Sequence, residues 1–176
     1  MTMWVFGYGS LVWNPGFTAR ETAIATLPGY HRSFCMRSVH HRGTPENPGL
    51  VLALDASDTA YCTGLGMRVD RNDEAEVLAY LRERELVSAA YIEKELAIDL
   101  ADGRRVDAVT YVIDADHEQY CGAIELEEQA RIIARAAGGR GPNTEYLFNT
   151  TAHLRELGIR DAELDWLVTR VRQIVG

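Results

Sequence analysis

Three short stretches of the sequence carry side chains that could do chemistry: "GYGS" at 7–10, "HHRG" at 40–43 and "RERE" at 82–85. In the first, the apolar run "WVF" ends in Gly7, Tyr8, Gly9 and Ser10, and Leu11 and Val12 resume the apolar character. Spacing excludes two chemistries. A dinucleotide-binding turn needs a third glycine where Val12 stands and a helix directly after it, and Pro15-Gly16 opposes that helix. A nucleophile elbow built on Ser10 needs glycines at the positions of Tyr8 and Val12. Two readings remain. One is an ordinary tight turn. The other is a strand-end loop whose N–H groups face a carboxylate or a developing oxyanion, with the glycines permitting close approach and Ser10 adding a hydroxyl.

The "RERE" stretch closes a segment, Asp73 to about Leu86, with helical spacing. At about 100° per residue, Val77, Leu78 and Leu81 define one apolar face. Glu85 falls on that face, one turn beyond Leu81, whereas Glu83 lands on roughly the opposite side. An inward carboxylate at the C-terminal end of a helix is hard to ionise, through desolvation and through the negative end of the helix dipole. That is the character of a general base. The competing reading is an early helix end, or a structural bridge from Glu85 to an arginine such as Arg84 or Arg42.

The "HHRG" stretch is weaker. Adjacent His40 and His41 point to opposite sides of an extended chain, and no Asp or Glu at ligand spacing completes a set, so a structural role and no metal is expected. His117 and His153 read as surface or capping residues. Tyr111, Tyr120 and Tyr146 read as core residues with satisfied hydroxyls. Cys35, Cys62 and Cys121 are far apart in sequence, odd in number and without a Cys-x-x-Cys pair, which suits a reduced cytoplasmic protein. A formal net charge of −8 argues against a nucleic-acid surface. The longest apolar runs fall short of a membrane span, and no basic N-terminal segment leads into a long apolar stretch, so neither a membrane partner nor a signal peptide is expected. Nothing in the pattern specifies an assembly state.

The elements that must position these residues read as follows. At 176 residues, a single domain over 1–176 is expected. Strands are expected at Met3–Tyr8, at Ala19–Leu27 and His31–Arg37 around a turn at "PGY", at Leu50–Asp55 and Thr63–Val69, and at Ala97–Leu100 and Val106–Ile113 around Asp102-Gly103. The last third reads as helices at Glu125–Ala137, Asn143–Leu157 and Asp161–Ile174. The acidic run Glu125–Glu128 would open the first, Asn143 and Asp161 stand as N-caps, and Leu157-Gly158 stands as a C-cap. Strands first and helices late give an α+β fold with a mainly antiparallel sheet.

Taken together, "VFGYGSLVW", "HHRGTPENPGLVLAL", "YLRERE" and "GPNTEYLFNTTAHLRELGIRD" resemble, in order and over nearly the whole chain, the ChaC family of γ-glutamylcyclotransferases. The resemblance implies a γ-glutamylcyclotransferase-like fold: a small, mainly antiparallel β-barrel with flanking and C-terminal helices. It implies glutathione as the small-molecule substrate and no metal or organic cofactor. It also implies that Val5, Phe6, Gly7, Tyr8, Gly9, Ser10 and Leu11 form the loop that receives the γ-glutamyl group, and that Glu85 is catalytic. The implied reaction cyclises the γ-glutamyl group to 5-oxoproline and releases Cys-Gly. The nucleophile is then the substrate's own amine, so no catalytic Ser or Cys is called for. Two alternatives stand beside it: another γ-glutamyl amino acid or amine as substrate, and a non-catalytic regulator or binding module on the same fold.

Overall fold

The computed structural model describes residues 2–86, 89–122 and 124–176. In chain order its elements are β1 (Trp4–Gly7), α1 (Ser10–Trp13), β2 (Glu21–Ser38), β3 (Gly49–Arg68), α2 (Glu74–Glu85), β4 (Tyr91–Leu100), β5 (Arg105–Ile113), α3 (Leu126–Arg135), β6 (Ala137–Gly138), β7 (Gly141–Pro142), α4 (Asn143–Glu156) and α5 (Ala162–Val175).

Five strands close into a barrel in the order β1-β3-β2-β4-β5. β1 is the closing stave. It runs antiparallel to β3, with Trp4 opposite Arg68 and Gly7 opposite Leu65, and parallel to β5, with Trp4 opposite Ala108. A strand buried along its whole length reads as an unbroken apolar run, which is what "WVF" is. β4 and β5 form the expected hairpin around Asp102-Gly103, where Gly103 takes φ +96°. β4 begins earlier than the sequence pattern suggests because in "YIEKE" the apolar Ile92 is exposed while the charged Glu93 is half-buried, so polarity does not report the covered face.

Three readings of where strands and helices break are also corrected. The "PGY" turn does not form: β2 runs unbroken through Pro28 and Gly29. Pro28 is exposed, and Gly29 takes φ +87°, so the pair bends a long strand where its missing N–H costs no ladder bond. β3 is likewise continuous, its polar middle lying largely in solvent. The helix that Pro15 opposes does start: α1 makes one turn from Ser10, closed by the Asn14 N–H on the Ser10 carbonyl at 2.7 Å, and stops before Pro15.

The chain divides into two compact units, one made of Met1–Arg32 and Ala53–His117, the other of Ser33–Leu52 and Glu118–Gly176. The core of the first includes Val5, Leu11, Leu65, Met67, Val77, Leu81 and Tyr111, so α2 is fastened beside β1 by the apolar face read from its sequence. In the second, α3 opens with the acidic residues Glu127 and Glu128 as expected, and Arg170 of α5 grips Glu127 with Nε at 2.7 Å and Nη2 at 3.0 Å. Asn143 is not the cap of α4; Pro142 occupies that position. Asn143 is instead fully buried, its Oδ1 accepting from the Leu50 N–H at 2.8 Å and its Nδ2 donating to the Leu50 carbonyl at 2.9 Å. At the other end of α4, Gly158 takes φ +80° and the Ile159 N–H reaches back to the Leu154 carbonyl at 2.9 Å, the C-terminal closure expected of Leu157-Gly158.

Asp161 caps α5 as expected, accepting from the Leu164 N–H at 3.1 Å. Asp161→Ala should therefore cost about 1 kcal/mol of stability, and Asp161→Asn much less. Denaturant titration of the two variants checks this.

Candidate active site

The loop that follows β1 is built to show donors. Its carbonyl groups are occupied from within. The Phe6 carbonyl accepts from Thr110 Oγ1 at 3.1 Å, the Tyr8 carbonyl from Arg32 Nε at 2.8 Å, and the Gly9 carbonyl from the Val12 N–H at 3.0 Å. The Ser10 carbonyl takes the Asn14 N–H. The N–H groups of Ser10 and Leu11 stand at the start of α1, where a helix has no carbonyl of its own to offer them. Such a loop suits a carboxylate or an oxyanion rather than a cation.

The glycines let the segments close up. A Cβ on Gly64 would run into the Gly7 carbonyl, and one on Gly7 would meet Met67 Cε at 2.9 Å. Val5, Phe6 and Leu11 direct their side chains into the core, so any contribution they make to a ligand comes through the backbone. Tyr8 is also buried, and its hydroxyl donates to the Tyr111 carbonyl at 3.0 Å. Of the seven loop residues named from the sequence, Ser10 is the half-buried one with a polar side chain at the surface of the site.

The structure brings Glu85 to this loop through Arg84. The Glu85 side chain is 15% exposed and Oε1 lies 3.3 Å from Arg84 Nε. Glu83 is exposed. The Arg84 guanidinium donates through Nη2 to Ser10 Oγ at 3.1 Å, and through Nη1 to the Tyr80 hydroxyl at 3.1 Å, the Pro15 carbonyl at 3.3 Å and the Asn14 carbonyl. One planar cation thus bridges the end of α2 and both ends of α1. The bridge to Arg84 and the inward carboxylate, competing readings of the sequence, are two aspects of one arrangement: an ion with a partner beside it is far less costly to bury than one without. Gly16 belongs to the same fastening. It takes φ +77°, and a Cβ there would collide with the Tyr80 hydroxyl.

A second carboxylate stands near but is held for a different purpose. Arg82 forks onto Glu93 with two contacts of 3.0 Å, and Tyr111 donates its hydroxyl to Glu93 Oε1 at 2.8 Å. The Arg82 hydrogen bonds hold the Glu93 carboxyl below its usual range. Burial first, then the Glu93 carboxylate, and to a lesser degree the charge of Glu85 push the Tyr111 phenol well above its own. At neutral pH Glu93 is therefore a fixed anion and Tyr111 a fixed donor, and both read as scaffold.

Sequence patterns did not single out Arg32, Tyr80 or the bridging role of Arg84. Arg32 and Arg84 act on Tyr8 and Ser10, distant in sequence, so no local spacing reports them, whereas Tyr80 pairs with Arg84 four residues along the same helix. In the second unit the "HHRG" stretch is structural: the His40 and His41 carbonyls accept from the Gly139 and Arg140 N–H groups at 2.7 and 2.9 Å. The Arg42 guanidinium lies 5.7 Å from the Tyr146 ring centroid and bonds the Pro142 carbonyl at 3.1 Å. Burial, and then the charges of Arg140, His40 and Arg42, push the His41 imidazole below its usual range, an environment that repels cations. Among the described residues no three His, Cys, Asp or Glu side chains converge as a metal centre would require. Nor, among them, is any helix long and apolar enough to cross a membrane.

A family model for ChaC-like proteins matches residues 3–174. The chain belongs to the ChaC-like family. Among relatives of this ChaC-like chain, the glutathione-specific γ-glutamylcyclotransferase of Escherichia coli (strain K12) is 36% identical over 174 residues, covering 99% of this chain and 74% of that protein. The γ-glutamylcyclotransferase 2-3 of Arabidopsis thaliana is 34% identical over 182 residues, covering 100% of this chain and 92% of that one. The crystal structure of a γ-glutamyl cyclotransferase specific to glutathione from yeast shares the fold with a TM-score of 0.87 at 25% identity, over 98% of this chain and 96% of that one. The ChaC-like α+β barrel expected from the sequence is thus the fold observed.

Proposed function

We propose that this ChaC-like chain is a γ-glutamylcyclotransferase that cleaves glutathione to 5-oxoproline and Cys-Gly. The observation that carries the reading is the joining of a donor-lined loop to the Glu85 carboxylate by Arg84, on a chain whose relatives bear the name of that activity.

The chemistry follows from the substrate. The α-ammonium of the γ-glutamyl group must lose a proton before its nitrogen can attack, and Glu85 takes that proton. The free amine adds to the γ-carbonyl carbon and closes a five-membered ring. Charge then develops on the carbonyl oxygen. N–H groups at the start of α1, around Ser10 and Leu11, are the donors for that oxyanion, a contribution of about 3 kcal/mol for a single well-placed donor. Glu85 returns its proton to the departing cysteinyl nitrogen, the C–N bond breaks, and no water is consumed. Ring closure is governed by orientation, so holding the glutamyl chain in its folded conformer is itself catalytic. Glu85 is the catalytic residue in this scheme, Val5–Leu11 form the binding loop, and Arg84 keeps the two in register.

The setting proposed is cytoplasmic, in keeping with three cysteines outside any disulfide and a substrate that is itself a thiol. Incubating the purified protein with reduced glutathione should release 5-oxoproline and Cys-Gly in equal amounts, undiminished by a chelator. Release of free glutamate would mean hydrolysis and would overturn the reading. Parallel incubation with other γ-glutamyl amino acids should give little product.

A further inference from the structure

The second unit contains a pair of nucleophiles that the catalytic scheme leaves unused. Near the end of β2, Met36 and Tyr120 form an antiparallel bridge. On either side of it the Arg37 N–H donates to the Gln119 carbonyl at 2.8 Å, and the Cys121 N–H to the Cys35 carbonyl at 2.8 Å. The register therefore sets Cys35 directly opposite Cys121. Residues paired in this way project to the same side of the ladder, with Cα atoms about 5.5 Å apart in a hydrogen-bonded pair. That spacing lies within the span of a disulfide. The Cys121 sulfur already leans toward its neighbour's peptide, lying 4.0 Å from the Phe34 carbonyl oxygen. Neither sulfur is in a disulfide, and the two differ in access: Cys35 is 1% exposed, Cys121 half-buried.

We propose that Cys35 and Cys121 form a reversible disulfide by exchange with a small-molecule disulfide, of which oxidised glutathione is the example. The unequal burial orders the steps. The Cys121 thiolate attacks one sulfur of the small disulfide, forming a mixed disulfide and expelling one thiolate. The Cys35 thiolate then attacks the Cys121 sulfur, forming the internal bond and expelling the second. Two protein thiols are oxidised, one small disulfide is reduced to two thiols, and the two protons pass to those thiols. Under reducing conditions the pair stays open; a rise in disulfide closes it. The chain then carries a covalent record of the oxidation state of the glutathione pool, independent of whether it degrades that pool.

The test uses the folded full-length protein equilibrated with oxidised glutathione, quenched with an alkylating agent and read by mass spectrometry before and after digestion. The expected product is lighter than the reduced chain by two hydrogens. It should yield a Cys35–Cys121 cross-linked peptide, leave Cys62 free to be alkylated after unfolding, and revert with dithiothreitol. Cys35→Ser should halt at a mixed disulfide on Cys121, and Cys121→Ser should leave Cys35 unreacted. A wild-type chain that accumulates a stable glutathione adduct on Cys121, or that keeps both thiols alkylatable after equilibration, overturns the proposal.

Discussion

Glu85→Gln should lower turnover of glutathione by about a hundredfold or more, the loss typical of a missing general base. The amide matches the carboxylate in size, so the fold has no reason to change. Arg84 loses the charge 3.3 Å from its Nε but keeps Ser10, Tyr80 and two backbone carbonyls as partners, which holds the guanidinium in place. Thermal stability should accordingly shift little. Binding of a glutathione analogue that cannot cyclise should persist, weakened to the extent that the carboxylate pairs with the ammonium group. Glu83→Gln is the matched control, on the exposed face of the same helical turn, and should be nearly silent. Turnover and melting measured on both variants decide the matter. Loss of activity in Glu83→Gln with retention in Glu85→Gln would remove Glu85 from the mechanism.

Arg84→Met should damage both the site and the fold. Methionine retains the apolar stem but none of the donors. A hydrogen bond from a charged group is worth about 1.5–3 kcal/mol, and several end here together on a side chain only 11% exposed. Water repairs some of them, and a net loss of roughly 2–4 kcal/mol is expected by analogy with other broken buried ion pairs. Turnover per folded molecule should fall at least about tenfold, because the loop and the base lose the link that fixes their separation. Arg84→Lys discriminates charge from geometry. It restores a cation near Glu85 but cannot reach Ser10, Tyr80 and the Asn14–Pro15 carbonyls at once. Partial recovery of stability without recovery of kcat is the expected pattern. If Arg84→Met leaves kcat intact, Arg84 serves the fold alone.

Which features were legible in the sequence follows from the range over which each is encoded. The inward direction of Glu85 and the outward direction of Glu83 depend only on helical geometry within a dozen residues, and the structure has both. The Asp161 cap and the glycine closure at Gly158 are equally local. Pro28-Gly29 failed as a turn because the same dipeptide chemistry serves a bend in an exposed strand, and the choice was made by barrel neighbours far along the chain. Asn143 failed as a cap because its amide matches a backbone N–H and C=O pair at Leu50 as well as it matches a helix start. The loop and the base were readable as candidates; that Arg84 joins them was not. Its contacts with Ser10, Asn14 and Pro15 are brought together by the packing of Val77 and Leu81 against Val5 and Leu11, not by any spacing.

The closing stave of the barrel has a consequence for the order in which the molecule acquires its chemistry. β1 precedes the other barrel strands in the chain, yet its two edges wait for residues 65–68 and 108–109. Until β5 exists, the Phe6 carbonyl lacks Thr110 and the Tyr8 hydroxyl lacks the Tyr111 carbonyl, so β1 and the loop that continues from it lack two of the bonds that hold their shape. Pairings at such separation must overcome the entropy of closing a long loop before they contribute, and they slow folding accordingly. The loop after β1 is thus encoded early and completed late, and a nascent chain that ends after α2 already carries β1 and Glu85 while still lacking the β5 edge on which β1 closes.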